Sequence, residues 1–157
     1  MIAQKLKTAV FFIGDIAILY GALVLTLLIR YGQSDFYQPL MVHFKPFSLL
    51  FIVWLLIFYL SNLYDDKFYK HNIATIQTFI LAITINIAIS IILLYIFSDF
   101  FKLTPKTNLF IFSAVYGTLD YLWRLILTNL FISGGLKKQI MLIGNSISIN
   151  AIAEYLK

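Results

Sequence analysis

Four long apolar stretches occupy most of this chain, and they constrain its fold more than any other feature. They cover about residues 8–29, 47–63, 73–97 and 109–132. Stretches of about 20 mostly apolar residues have the length that an α-helix needs to cross the hydrocarbon core of a bilayer. The composition agrees, because 61% of the residues are hydrophobic and only 12% are charged. We therefore predict an all-α membrane domain over residues 1–133, a bundle of four transmembrane helices.

This composition excludes several function classes, beginning with a soluble enzyme, whose surface would need roughly twice this share of charged residues. The chain contains no cysteine, so it has no thiolate nucleophile, cysteine metal site or disulfide framework. The net charge of +5 is spread over the loops, which membrane topology explains better than nucleic-acid binding. His43 and His71 fall on opposite sides of the membrane in the predicted topology, so we expect no shared metal.

The lysines and arginines near the ends of the stretches indicate the orientation. Cytoplasmic loops of membrane proteins carry an excess of basic residues. The side that would hold both termini carries Lys5, Lys7, Lys67, Lys70, Lys137 and Lys138. The other side carries Arg30, Lys45, Lys102 and Lys106. We therefore predict a multi-pass protein with both termini in the cytoplasm.

Aromatic residues cluster where the predicted spans should meet lipid headgroups. They are Tyr31, Phe36 and Tyr37 on the outer side, and Tyr64, Phe68 and Tyr69 on the cytoplasmic side. Tyrosine and tryptophan are enriched at both interfaces of a bilayer, because their rings are apolar and their polar atoms reach water. We interpret both groups as interfacial anchors.

Three charged side chains lie inside the predicted spans, namely Asp15, Asp120 and Arg124. Charges at this depth are costly and need partners. Asp120 and Arg124 stand four residues apart on one helix, which places them close enough to pair. Asp15 lies about as deep in the first span as Arg124 lies in the fourth, so we predict an Asp15–Arg124 contact between these helices. We interpret the three residues as a structural charge cluster. A proton or ion pathway through Asp15 and Asp120 is the alternative.

Small and polar residues recur at helical spacing in three of the spans. The fourth span carries Ser113, Gly117, Asp120, Arg124 and Thr128, and the third carries Thr75, Thr78, Ala82, Asn86 and Ser90. The first span carries the small pair Ala17 and Gly21. Small residues let membrane helices approach closely, and polar residues form hydrogen bonds between them. We expect all three stripes to face the interior of the bundle.

The sequence contains no recognisable catalytic constellation. Asp65 and Asp66 form an acid pair, and the basic residues Lys67, Lys70 and His71 follow directly. Because these charges balance one another, we interpret the segment as a solvated loop. The chain has no Gly-Lys-Ser/Thr phosphate loop, no Gly-x-Ser-x-Gly elbow and no His-Glu-x-x-His zinc motif. We therefore predict no catalytic, cofactor-binding or metal-binding residue in this chain.

Residues 134–157 differ from the rest of the chain. A short apolar run ends at Gly144, and residues 147–156 have one apolar helix face. Strand, glycine turn and helix form the opening unit of a doubly wound α/β domain. About 20 residues are too few to enclose a core, so we expect an incomplete Rossmann-like domain and a chain that is the amino-terminal piece of a longer protein. Ser146 and Ile149 replace two glycines of the G-x-G-x-x-G fingerprint, which argues against a bound dinucleotide.

Four residue patterns along the chain occur in the same order as in one enzyme family. They are Asp15 with Arg30, Leu63-Tyr64 after Asn62, Thr104-Pro105-Lys106 followed by Arg124, and Lys137-Lys138 followed by Gly144-Asn145-Ser146. Asn62 stands where the family has glycine, and Lys106 stands where it has arginine. In this order the patterns resemble the amino-terminal region of bacterial polyprenyl-phosphate sugar-1-phosphate transferases of the polytopic type, over the whole chain.

The resemblance implies an enzyme of the bacterial inner membrane that begins exopolysaccharide, capsule or O-antigen synthesis. It would transfer a sugar phosphate from a nucleotide sugar to undecaprenyl phosphate, with Mg²⁺ and an Asp-Glu pair in a C-terminal domain. This chain would then be the non-catalytic membrane anchor, without a cofactor of its own. Undecaprenyl phosphate and a second copy of the chain stay open as partners beside the bilayer.

Two other interpretations stay open as well. Membrane-bound nucleotide-sugar epimerases and dehydratases resemble the same four-helix leader, although their turn usually keeps the second glycine that Ser146 replaces here. A small four-helix transporter or flippase fits the length of the chain but leaves the C-terminal strand and helix unexplained.

Overall fold

Four membrane-length helices make up the described part of this protein. The computed structural model describes residues 2–33, 36–65, 73–98 and 106–133. Within these residues it contains no strand and four helices: α1 (Ile2–Tyr31), α2 (Tyr37–Leu60), α3 (Ile73–Ile96) and α4 (Lys106–Ser133). The shortest two contain 24 residues, or about 36 Å at 1.5 Å per residue, which exceeds the thickness of a bilayer core. All four are long and apolar enough to cross a membrane, which confirms the predicted number of spans.

The chain divides into two compact units, Met1–Ile126 and Leu127–Lys157. The first unit contains α1, α2, α3 and most of α4, and every contact described below lies within it. Of the second unit, the structure describes the helical residues 127–133. The predicted Rossmann-like segment, residues 134–157, lies outside the described residues.

Helix α1 extends past both predicted boundaries and ends at a glycine. Gly32 has a φ of +75°, a left-handed conformation that glycine adopts at little cost. Its N–H donates to the carbonyl oxygen of Leu28 at 3.0 Å. This is a common way for a helix to end, because the turn satisfies one of the last carbonyl groups.

Helix α2 begins at Tyr37, ten residues before the predicted start of the second span. Pro46, which fits the first turn of a helix, instead lies buried in the interior of α2. Proline lacks the N–H that would bond the carbonyl group four residues earlier. The side chains of residues 40–42 are apolar. Within a bilayer, the backbone N–H and C=O groups of such a segment are best satisfied in a helix. The helix therefore continues through the proline, and only residues 32–36 separate α1 from α2.

Helices α1 and α4 run antiparallel. Arg30, near the end of α1, donates a hydrogen bond to Asn108, near the start of α4. Asp15, in the first half of α1, bonds to Arg124, in the second half of α4. Residue numbers therefore rise along one helix as they fall along the other, and two polar contacts set the register of the pair.

Aromatic rings pack against one another between α2 and α4, mostly edge to face. The rings belong to Phe47, Phe51, Trp54 and Phe58 of α2 and to Phe112 and Tyr116 of α4. The centroid of Phe112 lies 5.3 Å from Phe47, 5.4 Å from Phe51 and 5.3 Å from Trp54. The four α2 residues are spaced by four, three and four positions, which puts them on one face of the helix. These rings form the core of the bundle.

Helix α3 turns the second half of its predicted polar stripe inward. Ala82, Asn86 and Ser90 are at most 1% exposed. The indole N–H of Trp54 donates to the Ser90 hydroxyl at 2.8 Å, which ties α3 to α2. On the facing helix, a Cβ at Gly117 would lie 3.2 Å from the Cδ1 of Ile83, so α3 and α4 approach closely there.

The outward faces of the helices are apolar. Ile52, Leu60, Ile73 and Tyr95 each expose at least 68% of their surface. A soluble monomer rarely exposes apolar residues over so large an area. Lipid tails are as apolar as these side chains, so this exterior is the one expected of a protein inside a bilayer.

The small pair of α1 does not face the bundle. Ala17 and Gly21 are both exposed, and a Cβ at Gly21 would have no neighbour within 4 Å. The prediction for this pair is wrong because Asp15 must face its partners, and residues two and six positions later point elsewhere around the helix. The glycine that packs inward is Gly14, where a Cβ would come within 2.2 Å of the Nε1 of Trp123.

Candidate functional site

Arg124 of α4 is the centre of a buried polar site. Its Nε donates to Asp120 Oδ2 at 2.8 Å, and its Nη2 donates to Asp15 Oδ2 at 2.6 Å. Its Nη1 donates to the backbone carbonyl of Leu63 at 3.1 Å. The side chains of both aspartates are fully buried, and that of Arg124 is 6% exposed. One guanidinium therefore joins α1, α4 and the segment after α2, and it brings together the three charged residues that the sequence placed inside the spans.

Tyr64 is the fourth member of this site. Its hydroxyl donates to Asp15 Oδ2 at 2.8 Å, and its ring centroid lies 5.7 Å from the guanidinium carbon of Arg124. Burial and the neighbouring Asp15 carboxylate raise the pKa of Tyr64, so its hydroxyl keeps its proton and stays a donor. The interpretation of Tyr64 as an interfacial anchor is wrong, since the residue is 6% exposed. We call Asp15, Tyr64, Asp120 and Arg124 the charge cluster.

A tight turn at Asn62 delivers two of these contacts. Asn62 has a φ of 54°, a left-handed conformation that asparagine tolerates better than most residues. The N–H of Leu63 donates to the carbonyl of Phe58, and that of Asn62 donates to the carbonyl of Tyr59, both at 3.1 Å. These two bonds form a Schellman motif, which usually has glycine at the left-handed position. The turn directs the Leu63 carbonyl to Arg124 and the Tyr64 hydroxyl to Asp15.

Aromatic rings surround the guanidinium of Arg124 and shield it from water. Its central carbon lies 5.8 Å from the ring centroid of Phe11, 5.5 Å from Phe58 and 5.7 Å from Phe79. The three rings come from α1, α2 and α3. Such rings attract a cation through their quadrupoles. Because the rings carry no net charge, the carboxylates compensate the charge of Arg124.

A second polar cluster lies at the opposite end of α1 and α4. Arg30 Nη1 donates to Asn108 Oδ1, and Asn108 Nδ2 donates to His43 Nε2 at 2.6 Å. His43 Nδ1 lies 2.7 Å from the carbonyl oxygen of Pro39. Because a guanidinium can only donate, the amide oxygen of Asn108 faces Arg30 and its nitrogen faces the histidine. His43 therefore accepts at Nε2, carries its proton on Nδ1 and is neutral. We call Arg30, His43 and Asn108 the histidine cluster.

Sequence patterns predict only part of this second cluster. From the sequence, His43 enters only as a potential metal ligand, and Asn108 has no predicted role. Asn108 directly precedes the predicted fourth span, and a polar side chain at the start of an apolar span is the signal that could have found it, because such a group needs a partner. His71 lies outside the described residues. Within the described ranges, no group of three or more histidine, aspartate or glutamate side chains could hold a metal ion.

Several buried polar atoms between the helices have no hydrogen-bond partner among the described residues. They are Asp15 Oδ1, Asp120 Oδ1, the Tyr116 hydroxyl, both amide atoms of Asn86 and the Trp123 indole nitrogen. Buried polar atoms without partners are rare in proteins and call for an explanation. The two carboxylate oxygens belong to the charge cluster.

The charge cluster is arranged for holding helices together and not for attacking a substrate. Both carboxyl groups bind a guanidinium, and neither is exposed to solvent. Of the acid pair after the second span, Asp65 is exposed. Asp66 lies outside the described residues.

Comparison with known proteins finds no match for this chain among family models, curated proteins or solved structures.

Proposed function

We propose that this chain is the membrane-anchoring domain of a bacterial undecaprenyl-phosphate sugar-1-phosphate transferase, and that it is catalytically silent by itself. In this role the four helices hold the enzyme in the bacterial inner membrane, at the cytoplasmic surface where the phosphate of its lipid substrate lies. Mg²⁺ and the catalytic acids belong to a separate domain.

One observation carries the proposal. Asp15, Tyr64 and Arg124 come from three separate patterns of the family resemblance, and they are three of the four residues of the charge cluster. Asp15 and Arg124 are 109 residues apart in the chain. Patterns that matched by accident would have no reason to supply the partners of one buried ion pair.

The packing of the bundle favours an anchor over a transporter. A transporter needs a polar pathway or a substrate site near the midplane. Between α2 and α4 the described core contains closely packed aromatic rings, with Phe47, Trp54, Phe112 and Tyr116 at most 1% exposed. The acids that could form a pathway bind Arg124.

The coding sequence after codon 157 tests the parent family. We expect a sugar-transferase domain with an Asp-Glu pair. A nucleotide-sugar epimerase or dehydratase domain would support the related family instead, and a stop codon directly after codon 157 would contradict the anchor role.

The purified 157-residue protein tests the absence of catalysis. With a UDP-sugar, undecaprenyl phosphate and Mg²⁺ it should release no UMP, and in a dialysis assay it should not bind NAD. UMP release that disappears in the double variant Asp65→Asn with Asp66→Asn would contradict the proposal and place an active site in the second loop.

A further inference from the structure

The charge cluster contains two acids and one base. Asp15 and Asp120 are both fully buried and both bind Arg124. If both acids were ionised, the cluster would carry one uncompensated negative charge inside the membrane, which is costly.

Among the described residues, the other titratable groups around the cluster do not bring a positive charge into contact with it. Tyr64 and Tyr116 face it with hydroxyl groups, which are neutral. The titratable residue of α3 is Tyr95, which is 76% exposed, and Tyr59 of α2 is 69% exposed. Lys7 lies on α1, about 12 Å along the helix axis from Asp15 at 1.5 Å per residue.

The two carboxyl groups also lie side by side. Nε and Nη2 of Arg124 form one edge of its planar fork, and each donates to a different aspartate. Because Nε and Nη2 are bonded to the same carbon, the two Oδ2 atoms that accept from them lie next to each other. Two carboxylates at such a separation do not both ionise readily, because their charges repel.

The unpartnered oxygens complete the argument. Asp15 Oδ1 and Asp120 Oδ1 are buried and lack a hydrogen-bond donor among the described residues. A proton bound by one carboxyl group converts it from an acceptor into a donor for the other. One added proton therefore supplies a donor within the pair and removes the excess charge.

We propose that Asp15 and Asp120 form a proton-binding site, in which the two carboxyl groups share one proton and leave the cluster neutral with Arg124 charged. Asp15 accepts hydrogen bonds from both Arg124 and Tyr64, whereas Asp120 accepts from Arg124 alone. This site goes beyond the anchor role, because it makes the stability of the bundle depend on pH.

The sign of this dependence follows from proton counting. In the unfolded chain both aspartates are ionised above about pH 5, whereas the folded cluster keeps one proton. Unfolding then releases a proton, so stability falls as pH rises, until the pH reaches the point at which the folded pair itself ionises. Over that range the unfolding equilibrium constant should rise tenfold per pH unit because of this one proton.

Equilibrium unfolding of the 157-residue protein in detergent micelles, measured from pH 5 to 8, tests the proposal. Asp120→Asn keeps the Asp15–Arg124 pair and removes the shared proton. The wild type should therefore lose stability relative to the variant as pH rises. This difference corresponds to a tenfold change per pH unit in the ratio of their unfolding equilibrium constants. Groups outside the pair, including His43, cancel in this difference. The control Asp65→Asn changes an exposed aspartate and should keep the wild-type slope.

Parallel pH profiles for the wild type and Asp120→Asn would overturn the proposal. The series is also run in sodium chloride and in choline chloride. Stability that follows sodium concentration and not pH would overturn it too, since a metal cation would then supply the missing charge. Infrared spectra of the wild type give a test without a variant. A protonated carboxyl band from a buried aspartate supports the proposal, and its absence at pH 7 overturns it.

Discussion

At the scale of single residues, Asn62 and Gly14 hold positions that few side chains can occupy. Asn62 adopts a φ of 54°, which places the next two residues in the charge cluster. Gly14 lies against the indole of Trp123, directly beside Asp15. Asn62 forms the turn that leads into the charge cluster, and Gly14 lets α1 approach Trp123 of α4 closely.

Asn62→Ala should destabilise the protein by about 1 kcal/mol, because alanine pays the steric cost of the left-handed conformation. Asn62→Gly should be neutral or stabilising, since glycine adopts this conformation freely. Unfolding of both variants in detergent measures the difference. Equal stability of the two variants would mean that the backbone conformation at residue 62 has no role.

Gly14→Ala should cost about 1–3 kcal/mol, because its Cβ would come within 2.2 Å of Trp123 Nε1 and force the helices or the indole apart. Gly21→Ala is the matched control on the same helix, since a Cβ there meets nothing within 4 Å. Thermal unfolding in detergent should lower the midpoint for the first variant and leave it unchanged or higher for the second. The opposite order would contradict the packing of α1 against α4.

The two kinds of residue in the charge cluster differ in how well sequence could predict them. Asp15, Asp120 and Arg124 stand out because charges are rare inside apolar spans, and matching depths indicate the pair. Tyr64 does not stand out, because a tyrosine near the end of a span is typical of an interfacial anchor. Its role depends on the turn at Asn62, and the direction of that turn is a backbone property that no periodicity encodes.

At the scale of helices, the Asp15–Arg124 pair connects α1 to α4. Arg124→Leu should cost about 3–5 kcal/mol, because it leaves two buried acids without their cation. Adding Asp15→Leu to this variant should cost less than Asp15→Leu costs in the wild type, since the pair is already broken. A double-mutant cycle on unfolding free energies in detergent measures this coupling.

The control for this cycle combines Arg124→Leu with Arg30→Leu. Arg30 bonds to Asn108 at the other end of the same two helices, so these two changes should be additive. Strict additivity for Asp15 with Arg124 would contradict the contact between them.

Asn108→Ala should also loosen the α1–α4 pair, by about 1–3 kcal/mol, because it leaves His43 and Arg30 without their shared partner. Asn129→Ala is the matched control, an exposed asparagine on the same helix, and should have little effect. Detergent unfolding compares the two variants. An equal loss in both would mean that the histidine cluster does not stabilise the bundle.

The sequence predicted the existence of the helices better than their ends. Apolar length indicates all four, because a bilayer permits few alternatives to helix. The start of α2 was missed because Pro46 suggested a helix start, whereas the apolar residues before it continue the helix through the proline. The inward faces of α4 and of the second half of α3 followed from their polar stripes, whereas Thr75 and Thr78 in the first half of the α3 stripe are not buried. Helix α1 has small residues on more than one face, and only the packing distinguishes Gly14 from Gly21.

At the scale of the whole molecule, the described part of the protein is a four-helix membrane domain with an apolar exterior and two polar clusters at opposite ends of α1 and α4. Composition alone predicts the fold class, because so few charges cannot cover a water-exposed surface. Composition does not predict which helices touch, since lipid and protein interiors are equally apolar. The polar contacts determine that pairing. Orientation depends on a small excess of lysine on one side, so it stays a prediction.

Labelling of single cysteines in intact bacterial cells tests this account most directly. The chain has no native cysteine, so Gln33→Cys, after α1, and Asp65→Cys, after α2, each introduce one thiol at an exposed position. If α2 crosses the membrane and both termini are cytoplasmic, an impermeant maleimide should label residue 33 in intact cells and residue 65 only after the cells are opened. Labelling of residue 65 alone in intact cells would contradict the orientation, and equal labelling of both would contradict the membrane-spanning fold.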